Sequence, residues 1–497
     1  MPTADQQGTS RLRSNAVSLP SAIAMGTALI APAAGMAFVP QIVAGSSGET
    51  VPFSYLLATI GAFCVAFTVG TFASRFSSAG SFYTFNAIGL GKPAGFMSGW
   101  LLFAAYAVFF PQNMDSFGYV LHGILKAHAG ISVPWYVLSI AAALLILTLA
   151  GIGIATSMRL DLLIITGEVL VILALAIVIV VLGGDSGNTG QVFNPANTPK
   201  GFSGMAFGLI FALETITGFE ASATVAEECK NAKRNIPRAV TGSVIAAGAF
   251  FIFVTYALTI GFGPGHAARF AGTGLPLDSL ATRYIGASYS VAIDVVVMLS
   301  SFAVSVAAGN GAVRIVYAMA REGALPRPLS RISRSRGTPV AAIAAVGLLT
   351  FALFLGVGLA VGPYPQGFSY LGAFGGLLIS IVYISICISL IAYFTWRKGP
   401  GFRPVRHTVI PAIGIVIAAL PVYGSLHPLP AGAYLVVDIV LGCYIVLGLL
   451  SMTYLAVRKP ATMEAIGRTM ASGDTAAGPD SPPGRLARPD GKPAAAS

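Results

Sequence analysis

Apolar runs of about 20 residues, long enough to cross a bilayer core as helix, recur from residue 19 to residue 457. The short gaps between them hold most of the charge. No other property narrows the fold as far. The runs lie near 19–44, 52–74, 94–123, 134–157, 161–183, 202–225, 239–262, 288–320, 339–362, 368–395, 408–426 and 431–457. They predict an all-α integral membrane protein of about twelve transmembrane helices. Of 497 residues, 55 % are hydrophobic and 9 % charged, against about 25 % charged in a typical soluble domain. That deficit removes the polar coat a large soluble enzyme needs. It suits helices that close their hydrogen bonds internally and face lipid. The first run follows Arg11 and Arg13 and contains "APAAG", but it is too long for the apolar region of a signal peptide and leads directly into further spans.

Charge orients the bundle. With the N-terminus inside, 25 of the 29 Lys and Arg residues fall in cytoplasmic segments, and only Lys126, Lys200, Arg269 and Arg283 fall outside. A span count wrong by one would scramble this split. The expectation is a multi-pass protein of the cytoplasmic membrane with both termini cytoplasmic. The expected organisation is a cytoplasmic N-terminal tail (1–18), spans 1–5 (19–183), spans 6–10 (202–395), spans 11–12 (408–457) and a disordered cytoplasmic tail (458–497). The tail is rich in Ala, Gly, Pro and Ser and offers little to bury.

Several chemistries find no support. Cys64, Cys229, Cys387 and Cys443 lack metal-ligand spacing and read as free thiols, and the five histidines are scattered, so neither a metal site nor a cofactor is expected. The net charge of +11 sits in short gaps without a basic, aromatic face, which argues against nucleic acid. No clustered nucleophile or His/Asp/Glu constellation supports an enzyme. The loops are too short to hold a separate sensor domain.

Two spans are interrupted. Span 1 contains "APAAGMAFVP", with Pro32, Gly35 and Pro40, and span 6 contains "LETITGFEAS", with Thr215–Thr217 leading into Gly218. Proline removes a backbone donor and clashes with the preceding turn; glycine weakens a helix. Breaks five spans apart predict two inverted repeats, spans 1–5 and 6–10, with two extra C-terminal helices. A broken helix offers free N–H groups to a carboxylate and free C=O groups to an ammonium. Two breaks side by side therefore suit an amino acid or a related amine. The expected substrate-binding residues are Ala31, Pro32, Ala33, Ala34, Gly35, Met36, Thr217, Gly218 and Phe219, with Ser301, Ser305 and Phe374 from spans 8 and 10. The alternative for each break is the general abundance of Gly and Pro in membrane helices.

Ionisable residues deep in spans face a cavity or a partner. Asp115, Glu168, Glu214 and Asp294 are the candidates. Glu214 lies one turn before Gly218, on its face, where it can receive a cationic group; its alternatives are a polar contact with span 1 or a proton site. Asp438 in span 12 faces lipid headgroups or a second copy of the chain.

"GFEASATVAEECKNAKRNIPRA" (218–239), "GNGAVRIVYAMAREGALPRPL" (309–329) with "TPV" (338–340), and "SSAGSFYTF" (77–85) resemble, in order, signatures of the amino acid–polyamine–organocation superfamily. The resemblance covers residues 15–400 well. It implies the five-plus-five inverted-repeat fold and secondary transport of amino acids or amines by alternating access. The chain departs at Ala33, where the family's first span-1 glycine stands, and at Thr215 and Thr217, where aromatics are common. In some proton-coupled relatives a lysine occupies the region of Glu168. An acid there that binds and releases a proton makes Glu168, with Asp115, the proton-coupling candidate; a neutral, hydrogen-bonded glutamic acid is the alternative. Glu227 and Glu228 at the inner membrane surface pair, on this reading, with basic residues after span 8, Arg321 among them, as a cytoplasmic gate; plain topological charge is the alternative. The expected partners are the substrate, a proton, the lipid bilayer and a second copy of the chain. Besides proton symport, an amine exchanger and a permease taking polyamines or basic amino acids through Glu214 remain open.

Overall fold

The computed structural model describes residues 19–76, 81–152, 158–224, 229, 231–333, 338–397 and 399–466. Its regular elements are all helical. Three consecutive helices, α1 (Leu19–Ile30), α2 (Pro32–Phe38) and α3 (Pro40–Ser47), make one interrupted crossing. They are followed by α4 (Val51–Ala73), the short α5 (Ser81–Gly89), α6 (Lys92–Ile124), α7 (Trp135–Ile152) and α8 (Met158–Val181). A second interrupted crossing comprises α9 (Gly201–Ile216) and α10 (Ala221–Thr224). Then come α11 (Ala232–Phe262), the short α12 (Ala267–Gly272) and α13 (Pro276–Tyr284), α14 (Ala287–Arg321), α15 (Val340–Val361), α16 (Phe368–Thr395), α17 (Ile410–Leu426), α18 (Ala433–Arg458) and α19 (Pro460–Ala465).

Nine helical stretches among the described residues are long and apolar enough to cross a membrane, and the shorter helices Trp135–Gly151 and Gly201–Ile216 are also apolar. The chain is a multi-pass membrane protein. The difference from the expected twelve falls at particular places. The interrupted first crossing runs into α4 as one stretch, Pro32–Ala73. α9 stops where its break begins, and residues 153–157, after α7, lie outside the described residues.

The two breaks have different causes. Pro32 opens α2 without an N–H to give, and Ala31 before it takes the left-handed conformation (φ 50°, ψ 74°), costly for a residue with a Cβ. Val39 before Pro40 stays near helical values (φ −98°, ψ −42°), so Pro40 bends the crossing and Ala31 breaks it. In the second crossing Thr217 is extended (φ −63°, ψ 142°) and Gly218 has φ 121°, which glycine alone adopts at little cost.

Small residues bring the two crossings together. A Cβ on Gly35 would sit 2.7 Å from Thr215 Cγ2, and Ser222 Oγ donates to Ala22 O at 2.8 Å. Around them α6 packs on α14 and α16, and α11 packs on α4 and α1. α18 lies at the rim, with Leu435, Val436, Ile439, Leu447 and Leu450 exposed, as a lipid-facing helix requires. Asp438 on α18 pairs within the chain, with Ser425 Oγ of α17.

The tail differs from its expectation at its start. Residues 460–465 form α19, and Met463 and Ile466 are buried beside Tyr83, Phe96 and Met319. Lys92 Nζ donates to Ile466 O at 2.7 Å. This end of the bundle, with Arg75, Lys92, Arg321 and Arg397, is its basic end. Residues 467–497 lie outside the described residues.

Candidate functional site

A cavity of about 560 Å³, counting its open mouth, lies between the two breaks. Ile30, Ala31, Ala34, Gly35 and Val39 line it from the first crossing, and Glu214, Thr215, Thr217 and Gly218 from the second. α6 adds Tyr106, Phe109, Gln112 and Asn113; α14 adds Val304 and Ala308; α16 adds Phe368.

The break at Ala31 releases one donor and one acceptor into this wall. In a continuous helix the Ala34 N–H would bond Ile30 O. Here Gly35 N bonds Ala31 O at 3.0 Å and Ala33 N points to Glu168 Oε2 at 3.4 Å. α1 ends at Ile30 and α2 begins at Pro32, which puts the Ile30 carbonyl in a last helical turn and the Ala34 N–H in a first one, where backbone groups lack an intrahelical partner. Both residues line the cavity. A carboxylate fits the N–H and an ammonium the carbonyl.

Glu214 supplies a carboxyl group. Gln112 Nε2 donates to Glu214 Oε1 at 2.8 Å and to Phe368 O at 3.3 Å; Glu214 Oε2 has no partner. Asn113 Nδ2 is taken by Phe109 O at 2.9 Å, which leaves its carbonyl oxygen as an acceptor. Glu220 secures the second break: it accepts from Gly218 N at 3.0 Å and from the Tyr106 hydroxyl at 2.9 Å. Tyr383 OH donates to Thr217 Oγ1 at 3.3 Å.

Glu168, 2 % exposed, sits behind the first break. Its Oε2 accepts from Ser300 Oγ at 2.8 Å and faces Ala33 N, joining α8, α14 and α2. Asp115 is buried with neither oxygen partnered. Away from the basic end, Phe38, Tyr364 and Phe368 close over the cavity with ring centres 5.2–5.9 Å apart, and Gln41 Nε2 bonds the Tyr364 hydroxyl.

Of the residues expected from sequence, Ala31, Ala34, Gly35, Glu214, Thr217 and Gly218 converge on the cavity. Pro32, Ala33 and Met36 are buried in α2 without lining it. Phe219 packs its ring 5.7 Å from Tyr383. Ser301 bonds Val297 O of its own helix, Ser305 reaches Ser301 O and Phe110 O of α6, and Phe374 packs toward Tyr444 of α18. Arg321 is exposed at the end of α14, whereas Glu227 and Glu228 lie outside the described residues. Sequence reasoning missed Tyr106, Phe109, Gln112, Asn113 and Phe368. The signal for two of them was "FFPQNMDS", a polar cluster within an otherwise apolar run. No group of three His, Cys, Asp or Glu residues that could hold a metal occurs among the described residues.

At the end opposite the basic one, outside the spans, Arg283 bonds Asp185. That hydrogen bond, with the charges of Arg283, His266 and Arg269, holds the Asp185 carboxyl below the usual carboxylate range.

Residues 23–461 match the family described as amino acid permease. The chain is 26 % identical over 425 residues to the branched-chain amino acid permease BcaP of Lactococcus lactis, covering 79 % of this chain and 86 % of that protein. It is 27 % identical over 302 residues to the low-affinity putrescine importer PlaP of Escherichia coli (58 % and 62 % covered). It is 26 % identical over 410 residues to the vacuolar cationic amino acid transporter 2 of Arabidopsis thaliana (79 % and 62 %).

Proposed function

Because the chain belongs to the amino acid permease family, we propose that it is a secondary transporter that moves amino acids or related amines across the cell membrane by alternating access. The observation that carries this reading is the interruption at Ala31, which sets the C-terminal turn of α1, with Ile30, and the N-terminal turn of α2, with Ala34, in the wall of a cavity between two broken helices. One break offers a carboxylate site and an ammonium site a helical turn apart. The proposed arrangement is twelve spans, two five-span inverted repeats and two additional helices, with the basic end and both termini cytoplasmic.

Proton coupling runs through Glu168 on this reading. Ionised, it accepts from Ser300 and faces the Ala33 N–H of the break. Protonation removes the charge those donors meet and loosens the tie between α8 and the substrate-binding segment. The substrate's carboxylate and the proton then act on opposite sides of α2.

A second reading is favoured by Glu214. A carboxylate in the cavity wall with one oxygen unpartnered suits a substrate with an additional cationic group, a basic amino acid or a polyamine. Relatives named for putrescine and for cationic amino acids support this reading, and the one named for branched-chain amino acids supports a neutral substrate.

The test is uptake of a labelled pool of amino acids and polyamines into proteoliposomes, with and without an inward proton gradient, by wild type and Glu168→Gln. Gradient-driven uptake lost in the variant supports symport through Glu168 and identifies the substrate. Uptake that ignores the gradient and responds to internal substrate means exchange, and leaves Glu168 a structural acid. No uptake of any member sinks the transport reading.

A further inference from the structure

Asp115 is 0 % exposed, and among the described residues neither carboxylate oxygen has a hydrogen-bond partner. Buried polar groups are nearly always satisfied, so this one requires an explanation. It lies on α6, away from the basic end, one turn beyond the cavity residue Gln112. A Cβ on Gly358, in the last turn of α15, would be 3.1 Å from Oδ1, and one on Gly367, just before α16, 3.6 Å from Oδ2. The acid is thus wedged where α15 ends and α16 begins. That junction gives it no donor: the Gly367 N–H is given to Gly362 O at 3.1 Å, and the Phe368 N–H to Pro363 O and Pro365 O. α7 contributes the Trp135 ring, against Gly358. Among the described residues no charged side chain faces the acid from α6, α7, α15 or the 363–367 segment. The nearby titratable groups are Tyr119 on α6 and Tyr364 on the facing segment, with ring centres 5.3 Å apart.

An ionised carboxylate without donor or counter-ion is not tolerated in such a place; a positive ligand is needed. A metal ion asks for several oxygen, nitrogen or sulfur ligands, and among the described residues no cluster of acidic, His or Cys side chains surrounds Asp115. A proton needs only one oxygen. The wall against the acid also carries the closure of the cavity, because Gly367 precedes Phe368, which packs on Phe38 and Tyr364.

We propose that Asp115 is a second proton-binding site, distinct from Glu168, loaded from the external solution when the Gly362–Phe368 segment swings away and occluded when it closes. With the segment open, the acid's O–H bond breaks and forms against water. With it closed, the proton stays on the carboxyl oxygen. The proposal rests on the transporter reading, and takes the end opposite the basic one as external.

The test is uptake of the same labelled pool by the full-length protein in oriented proteoliposomes, as external pH is varied at fixed internal pH. Counterflow at equal pH runs alongside. Asp115→Asn is expected to keep counterflow and to lose the acceleration that external acidification gives the wild type; Asp115→Glu is expected to regain it with a displaced midpoint. An Asn variant whose external-pH profile superimposes on the wild type overturns the proposal. So does a wild-type rate that follows external Na⁺ and loses that dependence in the variant. If the Asn variant does not insert, Asp115→Glu decides, and an unmoved midpoint overturns the proposal. Absence of both uptake and counterflow in the wild type overturns the transport reading and this proposal with it.

Discussion

Gln112 of α6 donates to Glu214 of α9 at 2.8 Å, joining two helices across the cavity wall beside the second break. The bond fixes one carboxyl oxygen and leaves the other without a partner among the described residues, so the pair orients the carboxyl group while conserving an acceptor for a ligand. Replacing Glu214 by Gln keeps the shape and removes the charge. A charge-assisted hydrogen bond is worth about 1.5–3 kcal/mol, or roughly a 10- to 100-fold change in affinity. Glu214→Gln is therefore expected to raise KM by that order for a basic amino acid or polyamine and to leave a neutral amino acid little changed. Competition uptake with one substrate of each kind checks this. Equal effects on both would remove Glu214 from selectivity.

Gly372 makes room for that pair. A Cβ there would stand 2.6 Å from Gln112 Nε2 and 2.8 Å from Glu214 Oε2, closer than real Cβ atoms approach. Gly372→Ala is expected to push the pair apart and weaken substrate binding about tenfold, with α16 still inserted, since alanine is the best helix former. The measurement is substrate-induced stabilisation of the detergent-solubilised protein, set beside its yield in membranes. Wild-type binding in the variant would mean that the pair plays no part in the site.

Gly218 is required by conformation. Its φ of 121° is a region a β-branched residue avoids, at a cost on the order of 1–3 kcal/mol. Gly218→Val is expected to abolish uptake while the protein still reaches the membrane, because the hydrophobic spans that drive insertion are untouched. Uptake at the wild-type rate would contradict the broken-helix argument directly.

The breaks and the buried acids were legible in the sequence because they are local. "TITG" ahead of a charged segment marks where α9 stops, and a residue before proline is disfavoured in helix, as Ala31 before Pro32 illustrates. Val39 before Pro40 shows the limit of that rule: it stays near helical values, with its N–H bonded to Gly35 O at 3.2 Å and its carbonyl to Val43 N at 3.1 Å. The α6 wall was less legible. Tyr106, Phe109, Gln112 and Asn113 gain their role only when α6 meets α14 and α16, and in an apolar helix periodicity does not distinguish a cavity face from a packed one. Ser301 and Ser305 looked like site residues by type, yet their hydroxyls are taken by backbone carbonyls, Val297 O for Ser301 and Ser301 O or Phe110 O of α6 for Ser305, a common fate of serine in membrane helices. Gly35, expected as part of the break, instead lets α2 approach Thr215. The tail carried a smaller lesson: Met463 and Ile466 are the large apolar residues that anchor α19.

The Asp185–Arg283 pair permits a pH prediction outside the membrane. Hydrogen bonding from Arg283 holds the Asp185 carboxyl below its usual range, so the folded protein binds that proton less readily than the unfolded chain. The contribution to stability is then fully present above the ordinary aspartate pKa of about 3.9. It is lost as pH falls through that value toward the lower folded-state one. Asp185→Asn removes the ionisation and should flatten this part of the profile: the gap in Tm between wild type and variant is expected to narrow as the solution is acidified from about pH 5 to below 4. The pair is solvent-facing, with Arg283 41 % and Asp185 21 % exposed by side chain, so the gap should be small and should shrink further with added salt. Thermal unfolding of both proteins in one detergent, across that pH range and at low and high salt, measures it. A gap independent of both pH and salt would mean that the bond does not order the loop between α8 and α9.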